Sequence, residues 1–95
     1  MAAYVVVEIV VTDPQVYEEY KRLAPPSIAA YGGRYIARGG ETRVLEGEWA
    51  PKRLVLLEFE SLERAQAWWD SPEYAEAKSM RQRSANTKMV AIEGL

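Results

Sequence analysis

The sequence predicts one α+β domain over residues 1–95: a ferredoxin-like βαββαβ sandwich with an antiparallel sheet. Three observations carry that prediction. The most apolar runs, Ala3–Val11 and "RLVLLEFE" at Arg53–Glu60, are β-branched or leucine-rich stretches of strand length. Each leads almost at once into a helix-start signal, "TDP" after the first and Ser61 after the second. The resulting order is two β-α-β units with short loops, and 95 residues suit a two-layer sandwich with its helices on one sheet face.

Taken in order, Ala3–Val11 is apolar on both faces except at Glu8, which marks a central strand. Asp13 can cap a helix and Pro14 fits its first position, while Val16, Tyr17, Tyr20, Leu23 and Ala24 keep helical spacing. Pro25-Pro26 predicts a break or kink, because each proline lacks an N–H and clashes with the preceding turn. A short continuation from Ile28 to Tyr31 ends at Gly32-Gly33. Arg34–Arg38 reads as a strand, Gly39-Gly40 as a bend or bulge, and Thr42–Glu48 as the strand's continuation. After the Pro51-Lys52 turn and the strand Arg53–Glu60, Ser61 caps a helix over Leu62–Trp69. Leu62, Ala65 and Trp69 share one face of it, so Trp69 is expected in the core and Trp68 at the periphery. "DSPEY" restarts a helix with Ser71 as cap and Pro72 at the first position, running to about Arg83, and Thr87–Glu93 closes the sheet.

Composition excludes several chemistries. With no cysteine and no histidine, there is no thiolate nucleophile, no imidazole base and no common zinc or haem ligand set, so no metal and no cofactor is expected. A haem-associated role would have to rely on tyrosine. The net charge of −2 argues against nucleic acid as a partner. An RNA-recognition sheet is also rejected, since "RLVLLEFE" offers only Phe59 as a base-stacking aromatic and ends in acids. Glu8 interrupts the first apolar run well short of signal-peptide or membrane-span length, so a cytoplasmic protein with no membrane partner is expected.

"YGGRYIARGGETRVLEGEW" is glycine-rich but not a phosphate loop. Its first glycine pair follows a helix and precedes a strand, and no G-K-[ST] is present. Strand alternation puts Arg34, Ile36 and Arg38 on one face, Tyr4, Val6, Glu8 and Val10 on another, and Leu54, Leu56, Glu58 and Glu60 on a third. Glu8 and Glu58 then become the catalytic candidates, as general bases in one polar space, with Arg38 to bind an anionic group. The competing reading is a structural ion pair at the rim.

Three segments, "VVTDPQVYEEYKRLAPPSIAAYGGRYIARGG", "LEGEWAPKRLVLLEFES" and "AQAWWDSPEYAEAKSMRQRSA", together resemble the domain-of-unknown-function family numbered 1330. The resemblance spans essentially the whole chain. It implies a homodimer in which two ferredoxin-like sheets face each other as an α/β barrel. Its superfamily includes cofactor-independent monooxygenases, muconolactone isomerase-like enzymes, dye-decolourising peroxidases and haem-degrading enzymes. Glu46 and Trp49 fall in the L-E-G-x-W motif and Arg81 is the arginine of the last helix motif, so these join Arg38 as ligand-binding candidates. The expected function is binding of a small anionic or carbonyl-bearing organic ligand in the inter-sheet cavity. Proton transfer or cofactor-independent oxygenation is the chemistry open to such a site. A non-catalytic structural or interaction module with no ligand site is the alternative.

Overall fold

Four strands form a single antiparallel sheet in the spatial order β2-β3-β1-β4, with β1 at Ala3–Val11, β2 at Arg34–Arg38, β3 at Leu54–Phe59 and β4 at Ala85–Glu93. The structure is a computed structural model and describes residues 1–95. Three helices, α1 (Pro14–Ala30), α2 (Leu62–Trp69) and α3 (Pro72–Ser84), complete the α+β sandwich. No helix is long and apolar enough to cross a membrane. Alternation decides which sheet face the helices cover. Ala3, Val5, Val7 and Ile9 of β1 and Val55, Leu57 and Phe59 of β3 are buried beneath them. The intervening residues face away.

Each helix starts as its cap residue dictates. Asp13, Ser61 and Ser71 accept hydrogen bonds from the backbone N–H groups of Val16, Arg64 and Tyr74 respectively. The expected break at Pro25-Pro26 does not occur: α1 runs unbroken to Ala30. Pro25 cannot donate to the carbonyl of Lys21 four residues earlier. Arg38 fills that vacancy, its Nη2 donating to the Lys21 carbonyl at 2.9 Å. The chain then turns at Gly32, whose φ of +74° suits glycine. Gly33 lies so close to Phe59 that a Cβ would sit 2.5 Å from its ring.

Three local expectations are corrected. A bulge between Tyr35 and Ala37 breaks the alternation of β2, so Arg34 pairs with Glu58 on the open face while Arg38 pairs with Val55 on the helix face. Thr42–Glu48 forms no strand. Gly39, at φ +70°, donates to the Leu54 carbonyl at 2.8 Å and turns the chain out of the sheet, leaving an exposed loop. Finally, Trp68 is the core tryptophan and Trp69 the half-buried one. Both positions suit the helical period from Ala65, and packing chooses between them. Trp68 stacks on Tyr74 at 4.1 Å and on Phe59 at 5.4 Å, and its indole N–H finds the Ser27 hydroxyl at 3.1 Å.

Candidate functional site

The open face of the sheet carries Tyr4, Val6, Glu8 and Val10 from β1, Leu54, Leu56 and Glu58 from β3, and Asn86, Lys88, Val90 and Ile92 from β4. Glu8 pairs with Leu54 and Lys88, whereas Glu58 pairs with Tyr4. The two acids therefore share a face but stand four residues apart along β1, about 13 Å at the usual strand rise. That is too far to share a proton. Each has its own partner: the Trp49 indole N–H donates to Glu8 at 2.9 Å, and Arg34 Nε donates to Glu58 at 2.6 Å.

The helix side of the sheet holds a different set of polar groups. Tyr20 and Tyr74 share a hydrogen bond between their hydroxyls at 3.1 Å, and Arg81 Nε donates to the Tyr74 hydroxyl at 3.1 Å. Arg81 Nη1 donates to the Thr87 hydroxyl, and the guanidinium lies 5.5 Å from the centre of the Trp69 ring. Arg81 is only 1% exposed, yet none of the ion pairs includes it. A guanidinium cannot shed its charge. Its desolvation is offset here only by neutral hydroxyls and an aromatic face, a poorer return than a carboxylate gives.

The local sequence supplies this arrangement. Tyr74 and Arg81 are seven residues apart on α3, two turns on one helix face, and Thr87 lies on the helix-facing side of β4. Arg81 opens onto a cleft of about 410 Å³, lined also by Trp69, Gln82, Asn86, Thr87 and Met89. Lys78 adds a second cation, with its Nζ 4.5 Å from the Trp69 ring centre and 2.8 Å from the Trp69 carbonyl. Burial, and next the neighbouring Tyr74, push the Tyr20 hydroxyl far above the ordinary tyrosine range. It stays a neutral hydroxyl, able to donate or accept but not to act as a phenolate base.

Arg53 Nε donates to the Tyr17 hydroxyl at 3.1 Å, and the Arg38 guanidinium sits 4.4 Å from the Tyr35 ring centre. The cavity between them holds about 20 Å³, room for roughly one water rather than a ligand.

The ligand-binding candidates do not converge. Arg38 lies on the helix face at the β2 edge, Glu46 in the exposed loop, Trp49 against Glu8 on the open face, and Arg81 in the seam between α3 and β4. The partners that give Arg81 its character, Tyr20, Tyr74 and Thr87, were not legible as a set. The seven-residue spacing of Tyr74 and Arg81 was the available signal; the Thr87 contact depends on where β4 docks.

The model of the family described as Domain of unknown function (DUF1330) matches residues 2–95. The chain belongs to that family. No curated protein matches this DUF1330 chain. Among solved structures it is similar to a protein of unknown function from Rhodopseudomonas palustris, with a TM-score of 0.79 and 18% identity over 99% of this chain and 82% of that one. A dimeric ferredoxin-like protein of unknown function from Jannaschia sp. CCS1 superposes with a TM-score of 0.73 and 15% identity, covering 99% of this chain and 100% of that one. SnoaB, a cofactor-independent oxygenase from Streptomyces nogalater, gives a TM-score of 0.67 at 9% identity over 99% and 93% of the two chains. At these identities the shared property is the ferredoxin-like fold.

Proposed function

We propose that this protein is a homodimer that binds a small organic anion, with Arg81 taking the anionic group. One observation carries the proposal: a buried guanidinium without a carboxylate partner borders a cleft of about 410 Å³. An anion reaching Arg81 would supply the charge the fold withholds. The dimer is supported by the apolar open face, where Val90 is 62% and Ile92 60% exposed, and by the description of the similar Jannaschia protein as dimeric. The ligand then lies on the helix side of the sheet, not between facing sheets, because Arg81 and the Thr87 that flanks its cleft are on that side. Cofactor-independent oxygenation is the second reading. Its support is the fold shared with SnoaB, a cofactor-independent oxygenase.

Thermal shift and calorimetry with benzoate at low salt test the proposal. Benzoate is expected to stabilise the wild-type chain and to leave Arg81→Met unmoved. Arg81→Met itself should fold with stability within about 1–2 kcal/mol of wild type, since a hydrophobe of similar length replaces an unpaired buried charge. Arg81→Ala, which leaves a cavity, should lose about 2–4 kcal/mol. Equal stabilisation of wild type and Arg81→Met would overturn the assignment. Failure of benzoate, phosphate and other small anions alike would leave the non-catalytic dimeric module standing.

A further inference from the structure

We infer that the ligand is a carboxylate with an extended apolar body, its head at Arg81 and its body along the seam between α2 and β4. This rests on the reading of Arg81 as the anion-binding group and adds the class of molecule that group would hold.

A second cavity, of about 590 Å³, adjoins the Arg81 cleft along β4. It lies within the size range of ordinary ligand pockets. Leu62, Ala65 and Trp68 of α2 and Ala91 of β4 line it, and Trp69 and Met89 line both cavities. The two cavities are thus consecutive stretches of one track. Thr87 and Met89 flank the first and Met89 and Ala91 the second, all on the helix-facing side of β4. From Thr87 to Ala91 the strand advances about 13 Å. β4 is an edge strand, so no further strand covers the outer side of the track.

Charge gives the track a direction. Arg81 lines the first cleft and Lys78 lies against Trp69, where the two cavities meet, while Glu63 lines the apolar cavity near the start of α2. An anionic head is drawn to the first end and repelled from the second. The walls between are aliphatic, aromatic and thioether groups, which reward apolar area and offer few fixed polar partners. A compact inorganic anion would leave that surface wet, and an apolar amine would meet the wrong charge at the head.

Straight-chain carboxylates from butanoate to decanoate, kept below their micelle concentrations, test the inference by calorimetry and by the NMR signal of the Arg81 side-chain Nε–H. Kd is expected to fall about fourfold for each added methylene over the first part of the series and then to level off as the track fills. Ala91→Phe changes an exposed position, so the fold should tolerate it while the ring blocks the apolar cavity. That variant should keep the Arg81 response to butanoate and lose the gain with chain length. If the Arg81 signal responds equally to every acid, the apolar track is refuted and the anion site survives. If it responds to none, both readings fall. A flat series together with an Ala91→Phe chain that loses its dimer would overturn the inference in favour of a second copy seated on the seam.

Discussion

Tyr20 is where burial alters a single residue's chemistry most. Its ring lies in the core, its hydroxyl bonds to Tyr74, and its proton is held far above the ordinary pKa of about 10. Burial also pushes Tyr35 upward, with Arg38 partly opposing it. In the unfolded chain these hydroxyls ionise near the ordinary value, so above it the unfolded state binds fewer protons than the folded one. Their contribution to stability is therefore fully present below about pH 10 and is lost as pH rises past it, by up to about 1.4 kcal/mol per pH unit for each tyrosine. Urea midpoints should be nearly flat up to about pH 9 and fall above about pH 10, and Tyr20→Phe should fall less steeply. Identical slopes for the two chains would remove Tyr20 as the cause. The tyrosines were readable as core from their spacing, but not as a hydroxyl network. Hydroxyl partners depend on distances between elements that no local pattern encodes.

Among the elements, α1 and β2 depend on each other through one guanidinium. Pro25 leaves the Lys21 carbonyl without its helical donor, and Arg38 supplies one from the neighbouring strand. This structural task accounts for the position of Arg38 without a ligand. Arg38→Ala is expected to cost about 1 kcal/mol, below the usual range for a charged donor because the side chain is exposed. In a Pro25→Ala background the helix regains its own N–H, and the same substitution should cost close to nothing. A double-mutant cycle by urea unfolding reads that coupling, and equal costs in both backgrounds would refute it. The proline pair was visible in the sequence as a threat to the helix. Its remedy was not, because the bulge in β2 is what turns Arg38 toward α1. Thr42–Glu48 shows the converse: expected as a continuation of the strand, it has no partner strand and stays a loop.

For the whole molecule, the decisive feature is a sheet covered on one face only. Val10, Val90 and Ile92 leave apolar surface exposed on the other, and β1 and β4 lie side by side there. The protein is expected to sediment at about twice its chain mass of 10.8 kDa, and Val90→Asp to shift it toward the single-chain mass with its circular dichroism unchanged. A wild-type protein that stays at the single-chain mass at micromolar concentration would end the dimer reading.

What the sequence by itself determined is the order of elements, the antiparallel sandwich and the family. Those follow from local signals: β-branched runs, cap residues, proline and glycine positions, and motifs read along the chain. Tertiary structure alone decided which tryptophan enters the core, which face Arg38 takes, how far apart Glu8 and Glu58 stand, and that Arg81 is buried without an acid. Each of these depends on register and docking between segments distant in sequence. A shift of one residue there reverses a side chain's face, and no pattern within one segment records the choice.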